Sequence, residues 1–126
     1  MKILFKQVRR KPIAIEICEQ DKLEELQTLL NDYIEIGKVF DMTTGRAAAL
    51  CGENFLLKSN HPLMNDLNIG KGGVSDWRLY GPVIVVKIDA TEDGDDLVGL
   101  SDDECKEAAR WLENHDIGKR TMWGTL

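Results

Sequence analysis

Histidine, cysteine and proline are all scarce in this chain of 126 residues, with 2, 3 and 3 copies, and aromatic residues make up only 6%. Cys18, Cys51 and Cys105 are odd in number and widely spaced, so they supply neither a disulfide framework nor a CxxC metal knuckle. The expectation is a reduced chain with no metal and no cofactor, its thiols serving as small core residues. Long apolar runs are missing too. The run from Pro82 to Val86 falls far short of the roughly 18 residues that a membrane-spanning helix needs. Near the start only Ile3, Leu4 and Phe5 stand between charged positions, which is no secretory leader. A cytoplasmic chain with no membrane contact is expected.

What remains is an ordinary globular composition, 43% hydrophobic and 30% charged. The length suits one hydrophobic core, so residues 1–115 are expected to form a single domain and residues 116–126 a tail that docks or frays. Within the net charge of -6 lies an asymmetry. The first eleven residues carry Lys2, Lys6, Arg9, Arg10 and Lys11 and no acid, leaving 11 basic against 22 acidic groups for all the rest. Repulsion from phosphates therefore disfavours direct nucleic-acid binding everywhere except near that basic start.

Periodicity predicts the elements. Lys2 to Val8 and Pro12 to Cys18 read as the arms of a β-hairpin, with Ile13, Ile15 and Ile17 alternating onto one buried face. Leu23, Leu26, Leu30 and Tyr33 recur at helical spacing after a capping-box pair, Asp21 and Glu24. Ile34, Ile36 and Val39 favour a strand, and Ala47 to Cys51 a weaker one. Turn residues are scattered through Gly52 to Arg78, which reads as a long irregular excursion. Gly81-Pro82 then opens the strand Val83 to Ile88, whose continuous apolar character predicts a central position covered on both faces. After an acidic loop, Ser101 and Glu104 have capping-box spacing ahead of the stripe Cys105, Ala108, Ala109 and Leu112. The fold class predicted is α+β: a mixed sheet of about five strands with two helices packed on it and an N-terminal hairpin.

Several constellations bear on function. Asp89, Glu92, Asp93, Asp95, Asp96, Asp102, Asp103 and Glu104 crowd into sixteen positions. Of these, Asp93, Asp95, Asp96, Asp102 and Asp103 are the expected partner-binding residues, a phosphate-like surface for a protein with a basic face; the plainer reading is a solubilising loop. Asp89 to Asp95 imitates the first half of a calcium loop, but the twelfth position is Leu100 where a bidentate glutamate is required. Gly70, Lys71, Gly72 and Gly73 offer amides and a cation for an anion, and Trp77 and Tyr80 flank Arg78 as a stacking surface. Together they form an alternative small-ligand or nucleotide site, without the full GxxxxGK[ST] pattern. Arg9, Arg10 and Lys11 mark a hairpin tip that reads as solvated. The remaining nucleophile candidate is Cys51 with His61 as base, a thiol-hydrolase reading that the apolar surroundings of Cys51 disfavour. No catalytic residue is assigned.

The stretches Met1 to Leu4, Leu23 to Leu30 running into Tyr33 to Ile36, Ala49 to Asn54, Asn60 to Leu63, Gly81 to Val86 and Leu100 to Glu104 together resemble a bacterial and phage group, domain-of-unknown-function family 3846. The resemblance covers nearly the whole domain. It implies an accessory role in phages, plasmids or conjugative elements and supplies no reaction. Asn60 to Asn65 lacks the arginine the family usually carries there, and Gly70 to Gly73 looks like an insertion. Combined with the charge layout, this points to a non-enzymatic binding protein in a bacterial host cell, an inhibitor of a host defence or nucleic-acid-processing protein.

Overall fold

The computed structural model describes residues 1–8, 10–53, 67–68, 78–79 and 81–115. Arg9, His61, the Gly70 to Gly73 segment, Trp77, Tyr80 and residues 116–126 lie outside the described residues, and of Arg78 only the backbone is described.

The chain opens with the expected hairpin, β1 (Lys2–Lys6) against β2 (Ile13–Glu16). Helix α1 (Lys22–Leu30) follows, then a second hairpin of β3 (Ile34–Met42) and β4 (Gly45–Gly52). β5 (Leu67–Asn68) and β6 (Arg78–Leu79) pair with each other as a separate two-stranded sheet. A third hairpin, β7 (Val83–Thr91) with β8 (Gly94–Val98), leads into helix α2 (Asp102–His115). The main sheet runs β2-β1-β7-β4-β3, with β8 added on β7. The α+β class and the packed helices agree with the sequence reading. The details differ: this sheet has six strands, and every pairing is antiparallel instead of mixed. Three hairpins contribute all six strands and make three of the five pairings antiparallel by construction; β1 and β4 then both run antiparallel to β7 where the hairpins join.

β7 is the spine. It pairs with β4 along one edge, from Ile84 to Ile88, while the other edge carries β1 on Val83 to Val85 and β8 on Lys87 to Thr91. Its side chains alternate between two cores. Val83 and Val85 join Leu4, Met42, Ala47, Ala49, Cys51, Cys105, Ala108 and Leu112 under α2. Ile84, Val86 and Ile88 join Ile3, Phe5, Ala48, Leu50, Leu26 and Leu30 under α1. The helices thus cover opposite faces, which is why Val83 to Val86 and Ala47 to Cys51 show no polar alternation.

α1 covers less than its sequence promised. Leu26 and Leu30 are buried, but Leu23 and Tyr33 are 58% and 66% exposed, and Ile13 on β2 is 52% exposed. The helix ends before Tyr33 because Asn31 turns left-handed at φ 53°, its N–H bonding to Thr28 O and the Asp32 N–H to Gln27 O, a Schellman closure. At the other end the expected Asp21–Glu24 capping box does not form. Asp21 sits at φ -109°, ψ 24°, outside the extended region a cap requires, and makes no side-chain cap bond. Glu25 instead reaches back past the helix start and accepts the Cys18 N–H at 2.5 Å.

The Schellman turn also fixes Asp32 against β4. A Cβ added at Gly52 would lie 2.7 Å from Asp32 Oδ2 and 2.9 Å from Asp32 Cβ. Asp32 cannot retreat freely, since its Oδ1 accepts the Tyr33 N–H at 2.8 Å. Gly52→Ala is therefore expected to cost roughly 1–3 kcal/mol in urea unfolding, the usual range for overpacking a filled site.

Candidate functional site

The acidic stretch, expected as a loop, is a paired hairpin. β4 stops pairing with β7 at Ile88, yet β7 continues through Asp89, Ala90 and Thr91, turns at Glu92-Asp93 and returns as β8. Gly94, at φ 120°, takes a conformation that a side chain would resist, and Thr91 Oγ1 donates to its carbonyl. The result is a two-stranded ribbon reaching past the end of β4. Every residue from Asp89 to Asp96 is exposed, and five of those eight are acidic with no basic residue among them. The register sets Asp89 directly across from Asp96, a like-charge pairing that strains a ladder.

Cations at the base relieve part of that strain. Lys22 Nζ, at the start of α1, donates to Asp96 Oδ1 at 2.8 Å and to the Leu97 carbonyl at 2.9 Å. That hydrogen bond with Lys22 holds the Asp96 carboxyl below its ordinary range, against a smaller opposing desolvation. Arg46 on β4 approaches Asp95 at 3.7 Å. Asp89, Glu92 and Asp93 make no ion pair among the described residues, so the unmatched charge lies on Glu92 and Asp93 at the turn and on Asp89 along the β7 arm.

The five acids singled out from sequence are therefore split by the fold. Asp93, Asp95 and Asp96 share the ribbon, whereas Asp102 and Asp103 begin α2 beyond its far end. With a rise of roughly 3.3 Å per residue, Asp93 stands about 16 Å from the base of β8. Asp102 is also bridged to Lys2, and that hydrogen bond draws the carboxyl down and the ammonium up from their ordinary ranges. Glu92, by contrast, belongs with Asp93 at the tip, and Asp89 faces Asp96 further down the ribbon; the signal that would have grouped Glu92 with Asp93 is the Thr91-Glu92-Asp93-Gly94 turn between two pairing segments.

The basic start is dispersed in the same way. Lys2 is paired with Asp102, Lys6 is buried with its Nζ donating to the Gln7 carbonyl at 3.1 Å, and only Arg10 and Lys11 are described as exposed near the β1–β2 turn. That turn follows Lys6, which pairs with Val83 at the start of β7. Glu35 and Glu53 stand at the same end of the sheet, so Arg10 and Lys11 do not make it a basic pole. The acidic turn lies at the other end of β7.

Glu104 is the most heavily engaged carboxylate. It lies 2.8 Å from Lys87 Nζ of β7, accepts the Ser101 N–H at 2.8 Å and a hydrogen bond from Thr44 Oγ1, while its own N–H donates to Ser101 Oγ at 3.2 Å. This is the capping box expected from Ser101 and Glu104. Glu107, one turn on, accepts the Thr43 N–H at 2.8 Å and its hydroxyl at 3.0 Å. Burial alone would raise the Glu104 carboxyl, but Lys87, Thr44 and Ser101 outweigh it and hold the value at about 2. The network ties α2 to the β3–β4 turn at the foot of the ribbon.

Thiol chemistry finds no support at Cys51. The side chain is fully buried under α2, donates to the Glu35 carbonyl at 3.6 Å, and is pushed up to about 12 by burial first and by Glu35 and Asp32 second. A thiol held so high is almost wholly protonated at neutral pH and is no nucleophile. Titration of the native chain with a thiol reagent should detect Cys18 alone at once, with Cys51 and Cys105 reacting only after denaturant is added. Prompt reaction of two or three thiols would show this burial to be wrong.

The alternative ligand site, Gly70 to Tyr80, lies outside the described residues apart from the backbone of β6. A shallow depression of ≈ 420 Å³ on the outer side of α1 is lined by Glu24, Gln27, Thr28, Asn31, Asp32 and Tyr33. Two carboxylates and no cation make it a poor place for a phosphate. Among the described residues no group of three or more His, Cys, Asp or Glu side chains is arranged to hold a metal, and no helix is long and apolar enough to cross a membrane.

The family model for the domain of unknown function DUF3846 matches residues 1–113. The chain belongs to this family. The match runs from β1 almost to the end of α2, so the ribbon and the Glu104 network both lie inside the family domain. No curated protein and no solved structure matches the chain.

Proposed function

We propose that this chain is a non-enzymatic binding protein whose acidic ribbon engages a basic surface on a partner protein. The observation that carries the proposal is the exposed stretch Asp89–Asp96, held as a hydrogen-bonded hairpin with unmatched carboxylates at its outer turn and on its β7 arm. A preformed ribbon loses little conformational freedom on binding, and charge of one sign at one pole orients the molecule as it approaches. In the phage or mobile-element setting that the family resemblance implies, the partner is a host defence or nucleic-acid-processing protein whose phosphate groove supplies the basic surface. The setting is a bacterial cytoplasm, where an exposed thiol such as Cys18 stays reduced.

The test is capture from a bacterial lysate with the immobilised chain, alongside the variant Asp89→Asn/Glu92→Gln/Asp93→Asn, at low and at high salt. A protein retained by the wild-type chain at low salt, and lost both in high salt and with the variant, is the expected result. Equal capture by the variant would remove the ribbon from the account.

A further inference from the structure

We propose that two copies of this chain join through the outer edges of their β3 strands, antiparallel about a two-fold axis, to make one continuous sheet. β3 is irregular. The β3–β4 register shifts between Ile36 and Lys38, so Gly37 is an extra residue, a β-bulge. Ile36 pairs with Leu50 and Val39 with Ala48, both on the face covered by α1. Without the bulge, residues three apart would point to opposite faces. With it, Ile34, Ile36 and Val39 share one face, and Ile36 and Val39 are 51% and 38% exposed.

One helix does not cover that face. The five lanes of the main sheet span about 19 Å between outer strands, and α1 with its side chains is about 10 Å across. Apolar side chains at the β3 margin are left to water, on a nine-residue strand whose outer edge pairs with no strand among the described residues. Such an edge is a template for another strand.

The sequence of β3 fits itself. Laid antiparallel with Ile36 opposite the second copy's Gly37, it sets Ile34 across from Val39 and Glu35 across from Lys38, each twice by symmetry. The faces agree as well. Glu35 pairs with Cys51 and Lys38 with Ala49, both on the α2 side, so the ion pair falls on one face and the apolar pair on the other. Neither Glu35 nor Lys38 makes an ion pair within the chain among the described residues. The other edges suit a second copy less: β2 has four residues, and β8 carries Asp95 and Asp96, which would face their own like charge.

Sedimentation equilibrium of the full chain across a concentration series, at salt that screens the overall charge, reads the outcome. Wild type should approach twice the 14.2 kDa of one chain. Glu35→Lys alone and Lys38→Glu alone should each weaken the dimer by roughly tenfold or more, because like charges then meet at both symmetry-related pairs. Mixing the two variants should restore it, since the introduced lysine of one copy would meet the introduced glutamate of the other. Circular dichroism confirms that each is folded, and the exchanged double variant, Glu35→Lys with Lys38→Glu, provides a second restored dimer should either single one fail. A wild-type chain that stays monomeric at the highest concentration would overturn the proposal, as would a dimer indifferent to these charges or not recovered by mixing.

Discussion

Glu104→Ala is expected to lower the unfolding free energy by about 3 kcal/mol, near the bottom of the range for breaking a buried ion pair because Lys87 keeps some solvent contact. Two losses combine in that figure. Lys87 would be left beside the core without its carboxylate, and the first turn of α2 would lose the side chain that accepts the Ser101 N–H. Glu104→Gln keeps the size and part of the hydrogen bonding, so it should cost less than alanine. The two variants also separate charge from capping through pH. With its carboxyl held at about 2 in the folded chain against an ordinary 4.5, Glu104 contributes stability that is complete above about pH 4.5 and is lost as the pH falls towards 2. Urea unfolding should therefore find wild type more stable than Glu104→Gln at pH 7, the gap closing as the pH approaches 2. A gap that stays constant over this range would mean that the carboxylate charge is not what Lys87 and Thr44 hold.

Removing the ribbon's unmatched charge should have the largest effect on recognition. The variant Asp89→Asn/Glu92→Gln/Asp93→Asn is expected to weaken partner binding by at least roughly tenfold at low salt, each lost contact contributing a modest amount in a solvent-exposed setting. Asp102→Asn with Asp103→Asn is the informative control. Those residues belong to the same acidic run in sequence, but one is already bridged to Lys2 and both lie at the helix start instead of the ribbon tip. Binding should survive their loss. Equilibrium titration of a captured partner against both variants checks this, and equal damage from the two would restore the undivided acidic surface suggested by the sequence.

That contrast shows what the sequence could and could not reveal. The apolar run Val83 to Val86 marked the central strand because a strand covered on both faces needs no alternation, and Ser101 with Glu104 marked the start of α2 because a capping box is a local device. β8 was hidden. Gly94-Asp95-Asp96 has none of the composition of a strand; its conformation is imposed by hairpin pairing with β7 and by Lys22 from α1, the latter contact distant in sequence. The stripe Leu23, Leu26, Leu30 and Tyr33 overstated the buried side of α1, since the left-handed Asn31 ends the helix before its last member. Composition located the acidic residues of the candidate site. Only the extended geometry of the ribbon, which spreads neighbours in sequence along its length, shows which of them stand together.

The association rate of the chain with its captured partner, measured at rising ionic strength for wild type and for the variant Asp89→Asn/Glu92→Gln/Asp93→Asn, tests the role of the ribbon most directly. The Debye length shrinks from about 10 Å at 0.1 M to about 3 Å at 1 M, so attraction led by the ribbon should fade over that interval. The wild-type rate is predicted to fall steeply with salt, and the variant to start slow and change little. Parallel salt dependences for the two proteins would contradict the claim that Asp89, Glu92 and Asp93 guide the encounter.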